Sequence, residues 1–508
     1  MAYRRGVVGA VALGVALSLG LTACVSGGDE PTDGAARALR VVLAAEPSGL
    51  DPQLVQDGNA LAIYANISEP LVFRTPEGEL EPGLALSWAN TGPLTWTFKL
   101  REGVTFSNGE PFNADAVVYS LTRILDPDFA TQQSGWLGDL AGAEKVDDHT
   151  VTITTKQPDP QVPTRLALIM MVPPQAAESE SFGSAPIGTG PYKLDSWTRG
   201  QKAVLSVNPT YWGDKPTIQK VEFSPVTDAA VRLSALQSGE YDLVPGLLPE
   251  QLEQAPRSER TRGLEFPLMV LNTRAGPFKD VRVRQAANHA VDSATLLAKL
   301  YNGYGQPAKC QLFGPDVFGH NGSLTDYAYD PAKAKALLAE AGQPNPKVTL
   351  IGDATNRWLK DVELTRGVAG YLEEVGFTVD VKLLDFSAYL QELIAENNNA
   401  TVERADMYFI SHGNDTGDGD ITYTAFYATT GADSSTSSTE VDNLIAQGRR
   451  ELDPNKRSAM YQQINKIGCD EAYFLFLMNL ENTYGLSENL VFTPRPDGQL
   501  LVKTMSWK

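Results

Sequence analysis

Cysteine and histidine are scarce in this 508-residue chain, with three of the first and four of the second. His149, His289, His320 and His412 stand far apart, without the paired spacing that places two ligands on one helix or strand, so no metal site is expected from them. Catalytic signatures are missing as well. There is no Gly-x-Ser-x-Gly elbow, no His-Glu-x-x-His and no phosphate loop. Gly188-Thr189-Gly190 carries Lys193 where a dinucleotide fingerprint needs its third glycine. No enzyme and no cofactor is expected. Positive charge is in deficit, 42 Lys and Arg against 62 Asp and Glu for a net of −20, which argues against nucleic acid and against adhesion to anionic lipid through the protein surface. Beyond the N-terminus no apolar run is long enough to cross a membrane, since Ala472–Leu480 is too short.

What is present begins with one apolar run of ~15 residues, from about Val7 to Leu21, short for a membrane span and normal for a signal-peptide core. It follows Arg4 and Arg5 and closes on Leu21-Thr22-Ala23-Cys24, which reads as a bacterial lipobox. Small side chains at Thr22 and Ala23 admit a peptidase, and the Cys24 thiol takes the lipid through a thioether. An ordinary cleaved signal or a short anchor helix are the alternatives. Residues 1–23 are thus expected to be removed, and 24–37, rich in Gly, Ser, Asp and Pro, to form a lipidated tether. The remaining 485 residues carry −22 and are long enough for two or three domains. A soluble body anchored by lipid outside the cytoplasmic membrane is the expectation, as a monomer. In that oxidising compartment Cys310 and Cys469 could form a disulfide, two buried thiols being the alternative.

Periodicity predicts a mixed α/β body. Leu39–Ala45, Leu94–Leu100, Thr150–Thr155 and Phe377–Leu383 read as strands, and Asp406–Ser411 is strand-like. Asn113 is a good N-cap for a helix carrying Val117, Val118, Leu121, Ile124 and Leu125. Asp330 caps Pro331–Ala341, which Gly342 ends. Further helices are expected from near Asp280 and around Leu364–Val375. The polar run Gly431–Thr439 reads as a flexible loop, and no tandem repeat suggests a solenoid.

Five segments in order carry a resemblance: Leu100 to Val117 (LREGVTFSNGEPFNADAV), Gly188 to Leu194 (GTGPYKL), Asn208 to Gly213 (NPTYWG), Val281 to Ala286 with Ala290-Val291-Asp292, and Tyr329 to Ala334 (YDPAKA). Together they resemble the dipeptide- and oligopeptide-binding lipoproteins of bacterial ABC importers, solute-binding family five. The residues themselves are architectural: Asn108-Gly109 is a turn signal, Pro111-Phe112-Asn113 leads into a helix cap, and Gly188 and Gly190 punctuate a loop. The resemblance implies a two-lobe α/β fold of the periplasmic-binding-protein kind, with a hinge and an extra subdomain in lobe one. Lobe one would be about 38–270 with the subdomain near 76–184, lobe two 271–481, and 482–508 a C-terminal return to lobe one. It implies capture of a peptide by hinge closure and delivery to the membrane subunits of an ABC permease.

In peptide-binding relatives an aspartate in a Gly- and Asp-rich loop of lobe two holds the peptide's ammonium, because a buried cation left unpaired costs several kcal/mol. The matching loop is His412-Gly413-Asn414-Asp415-Thr416-Gly417-Asp418-Gly419-Asp420, which by resemblance places the anchor at Asp415, with Asp418 as fallback and Asn414 beside them. His412 stands where the family has tryptophan and Gly419 where it has proline. An exposed acidic turn is the plain alternative. A calcium loop is disfavoured by Ala425, which occupies the place of the bidentate glutamate. Some relatives import nickel or haem, which would give His412 a role. For a ligand carboxylate, Arg357, Lys360 and Arg366 lie near the expected position, Arg357 foremost, without matching the family's register. A longer peptide is therefore expected over a dipeptide, with another solute (nickel complex, haem, opine or oligosaccharide) as the alternative.

Overall fold

The computed structural model describes residues 37–398 and 405–508. The lipobox, Cys24 and all but the last residue of the expected tether lie outside the described residues. No helix among the described residues is long and apolar enough to cross a membrane.

An eight-stranded sheet forms the first lobe. Its strands run in the order Arg257–Arg262, Met478–Leu486, Leu243–Pro245, Leu39–Leu43, Lys220–Pro225, Lys202–Val207 and Tyr192–Thr198, and Gly305–Pro307 also pairs with Met478–Leu486. Leu39–Leu43 lies in the interior, parallel to both neighbours. This explains its near-continuous apolar sequence, since a strand covered on both faces needs no polar side. Leu39, Val41 and Leu43 enter one core and Val42 another. An antiparallel four-stranded sheet (Ala85–Gly92, Thr95–Leu100, Thr150–Thr155, Leu140–Asp147) is inserted ahead of Tyr192–Thr198 and has its own core. The helix Ala114–Leu125 packs into that core, started by Asn113, whose side chain accepts from the Ala116 N–H.

The second lobe is built on five strands in the order Thr378–Leu384, Lys347–Asp353, Met407–Gly413, Glu265–Leu271 and Phe474–Phe476. Alternation along Glu265–Leu271 feeds two cores: Phe266, Leu268 and Val270 face one layer, Met269 and Leu271 the other. The helices Val281–Ala290, Pro331–Glu340 and Asp361–Val375 cover the second layer, close to the expected bounds. Asp330 caps the second of these as its position predicts, and Asp280, near which the first was expected to begin, caps that one. The bridged pair Cys310 and Cys469, with Cα atoms 5.3 Å apart, ties the loop after Gly305–Pro307 to the helix Pro454–Asp470.

Apart from the short strand Gly305–Pro307, which reaches over to pair with Met478–Leu486, the chain passes between the two large sheets twice, after Arg257–Arg262 and after Phe474–Phe476. Asn479 ties the two crossings together, its Nδ2 donating to the carbonyls of Gly263 at 2.9 Å and Glu265 at 3.0 Å. A pair of adjacent, hydrogen-bonded crossovers is the geometry of a hinge.

One segment departs from its composition. Residues 431–439, expected to be flexible, hold Ser434, Ser435 and Thr436 fully or almost fully buried. Arg274 donates to the carbonyls of Thr429 and Thr436, and Thr273 to that of Ser435. Polarity here serves backbone satisfaction inside the protein rather than hydration.

Candidate functional site

The loop after the strand Met407–Gly413 is stiffened from within. Asn414 is buried and donates to the Asp418 carbonyl and the Thr422 hydroxyl, both at 2.9 Å. Asp418 caps the short helix Gly419–Thr422 and meets Arg457 of the helix Pro454–Asp470 through both carboxylate oxygens, at 2.5 and 2.7 Å. Gly417 turns the chain at φ +67°. At Gly419 a Cβ would stand 2.7 Å from the Tyr423 ring, so a larger residue there would require that ring to shift. His412 lies under the loop, its Nε2 2.7 Å from the Thr422 hydroxyl and its ring against Phe426. Burial pushes its pKa down to about 4, so it stays neutral and structural.

Asp415 differs from all of these. Its carbonyl accepts from Arg74 Nη1 at 2.8 Å, but its carboxylate is solvent-accessible and has no hydrogen bond or ion pair among the described residues. It opens into a cavity of about 380 Å³. Crowding by the surrounding protein raises its pKa, Arg74 opposing and Asp497 adding to the shift. Glu265, at the hinge, is raised for the same first reason and then by Asp415 itself.

The opposite wall comes from the first lobe. Arg74 ends the strand Val72–Arg74 and reaches across to the carbonyls of Asp415 and Thr416. Behind it Arg495 donates to the Arg74 carbonyl at 2.8 Å and is paired with Asp497. Glu69 is buried at the floor and accepts from the Thr189 hydroxyl (2.9 Å), the Tyr211 hydroxyl (3.0 Å) and Trp212 Nε1 (2.8 Å). Two of the recognised motifs thus converge on one carboxylate. Gly188 and Gly190 make this possible: a Cβ at either would fall 2.0 or 2.6 Å from the Ile67 carbonyl oxygen. Lys503, from the C-terminal return, completes the wall.

A second cavity of about 590 Å³ lies on the other side of Arg74, between the inserted subdomain and the second lobe. Across this gap Arg165 approaches Asp420 at 3.7 Å, and Arg449 lies 3.3 Å from Asp420 and 3.9 Å from Asp139.

The structure therefore gathers Asn414, Asp415 and Asp418 in one loop over His412, and of these four only Asp415 lines the first cavity. Arg357 is elsewhere, on the exposed segment before the helix Asp361–Val375, its guanidinium 3.9 Å above the Phe386 ring, and it lines neither cavity. Sequence reasoning did not single out Arg74, Glu69 or Lys503. Arg74 had a faint signal, a cation closing the apolar run Leu71–Phe73 before a turn. Glu69 and Lys503 had none, because partners 120 to 292 residues away along the chain set their places.

Comparison with known proteins agrees with this architecture. The family of bacterial extracellular solute-binding proteins, family 5 (middle region), matches residues 79–434. The chain is 28% identical to the glutathione-binding protein GsiB of Escherichia coli (strain K12), over 96% of each chain. It is 32% identical to the heme-binding protein A of Haemophilus influenzae, over 63% of each. Among solved structures, the periplasmic binding protein DppA of Helicobacter pylori in complex with the peptide STSA superposes with a TM-score of 0.72 at 26% identity, covering 92% of this chain and 96% of that one. A two-lobe α/β body with a hinge, a cavity lined from both lobes and this match over most of its length have one reading: the chain belongs to family 5 of the bacterial extracellular solute-binding proteins and is the substrate-binding protein of an ABC importer, not an enzyme.

Proposed function

We propose that this binding protein captures short peptides, holding the free amino terminus at Asp415. The observation that carries the reading is the carboxylate of Asp415, unpaired among the described residues and facing a cavity lined from both lobes. An ammonium group is the complement such a site lacks. Pairing there relieves the cost of an isolated charge in a crowded cleft, and a solute without a cation leaves that cost standing. Asp418, Asn414 and His412 act indirectly, by fixing the loop that presents Asp415. A cavity of about 380 Å³, partitioned by Arg74, suits a compact ligand of roughly two or three residues rather than a long peptide. Glutathione, named for one relative, is a tripeptide and falls within this class.

Lobe one comprises 37–262 and 478–508 and lobe two 265–476, whose strand Gly305–Pro307 reaches over to the first-lobe sheet, and ligand contacts from both lobes favour the closed arrangement that the permease recognises. Cys24 would hold the monomer by lipid outside the cytoplasmic membrane, beside its permease. Thermal-shift measurements against a tripeptide library, glutathione, haem and nickel complexes test the ligand class. Stabilisation by free-amino peptides is expected. A response to haem or nickel complexes with none to any peptide would contradict the proposal.

A further inference from the structure

Three cations line the Asp415 cavity: Arg74, Arg495 and Lys503. The first two are committed. Arg74 donates to two carbonyls of the binding loop, and Arg495 is held by the Asp497 carboxylate. Lys503 is not. Among the described residues its ammonium has no carboxylate in ion-pair contact, and its one hydrogen bond is a long one, 3.4 Å to the Tyr211 hydroxyl. That hydroxyl gives its own proton to Glu69. An ammonium carries three donors, so two remain without a protein acceptor. Burial lowers the Lys503 pKa, Glu69 opposing, as for a cation short of partners.

The side chain is also held in place. It stands over the Phe73 ring, 4.6 Å from the centroid. Its backbone is fixed on both sides: Val502 N–H donates to Asn66 Oδ1, Asn66 Nδ2 donates to the Leu500 carbonyl, and Thr217 donates to the Met505 carbonyl. With Val502 and Met505 buried in the core of the first lobe, the turn between them has to present Lys503 outward, and outward is the cavity.

We propose that Lys503 receives the anionic end of the ligand, so that the site selects compact zwitterions spanning Asp415 on the lobe-two loop and Lys503 on the C-terminal return of lobe one. It rests on the peptide reading of the same cavity and adds to it a specificity-determining residue and an upper limit on length. A ligand bridging the two charges joins the lobes through its own body, whereas a peptide whose carboxylate projects into solvent would leave Lys503 unpaired. Arg357 has no part in this, since it lies outside the cavity.

The test uses a tripeptide library in three forms, free, C-terminally amidated and N-acetylated, with binding measured on the wild-type protein, Lys503→Met and Lys503→Arg. Amidation is expected to weaken wild-type binding at least tenfold. Lys503→Met should lose that preference for acid over amide while keeping its preference for the free amino terminus, and Lys503→Arg should restore the acid preference. If Lys503 only balances Glu69, Lys503→Met lowers the melting temperature and leaves the acid-to-amide ratio unchanged, which overturns the proposal and leaves the peptide reading intact. If no free tripeptide binds the wild type, the peptide reading fails and this inference fails with it.

Discussion

An ionised carboxylate in a crowded cleft lowers the stability of the protein that carries it. Asp415 is solvent-accessible, but the crowding of the cleft around it raises its folded-state pKa above the unfolded value, so its stabilising contribution is present at low pH and disappears as pH rises through the folded pKa. At neutral pH the group is a cost retained for binding. Asp415→Asn is accordingly expected to raise the melting temperature of the ligand-free protein at pH 7.5, with the gain shrinking as pH falls. The same change should weaken peptide affinity at least tenfold, about 1.4 kcal/mol. Peptide affinity of the wild type should also fall on acidification, beginning above the ordinary aspartate range because the anchor protonates early, and calorimetry between pH 4.5 and 7.5 checks it. This residue was legible by family register alone. Nothing in the string NDTGD separates an outward Asp415 from an inward Asp418, since the inward turn depends on Arg457, 39 positions after Asp418 on another helix.

At the scale of elements, the binding loop is held by pairs that bury both partners. Arg457 and Asp418 are each about 5% exposed, so removing one leaves the other charged and unpaired. Arg457→Leu should cost ~3–5 kcal/mol in urea unfolding. A smaller loss, under ~1 kcal/mol, would mean that the pair is not structural. The bridge between Cys310 and Cys469 closes a stretch of 159 residues, and its reduction or replacement by serines should destabilise the protein by ~2–4 kcal/mol. Much of this level could be read ahead of the structure. Helices with a side-chain cap, a proline or a glycine at their ends, such as Pro331–Glu340, announced themselves through local chemistry. The motifs at 188–194 and 208–213 were recognisable as architecture, but not as donors to Glu69, because hydrogen bonds between distant segments leave no periodic trace. The run 431–439 misled for the converse reason: its hydroxyls resemble those of a solvated loop, yet Arg274 draws it inside.

For the whole molecule, binding and closure are one equilibrium. The lobes meet through Arg74 on the loop carbonyls, through Arg165 at Asp420 and through Arg449 at Asp139. Arg74→Ala should weaken peptide affinity about tenfold to a hundredfold, the range for losing one or two charge-assisted hydrogen bonds. It should also enlarge the ligand-bound radius of gyration in solution scattering. An unchanged radius with unchanged affinity would show that the contact does not contribute to closure. The two-lobe plan was foreseeable from the order of motifs along the chain. The division of the cleft at Arg74 was not, because it arises from the meeting of two surfaces that no segment encodes alone.

The central claim is that an ammonium group of the solute sits on Asp415. A crystal structure of the protein with a bound ligand, taken from the tripeptide screen or carried through purification, tests it most directly. The account predicts a ligand nitrogen within hydrogen-bond distance of the Asp415 carboxylate, in the cavity floored by Glu69 and roofed by Arg74. A ligand occupying the cleft with no cationic nitrogen at Asp415, or held by Asp418 or His412 instead, would contradict it.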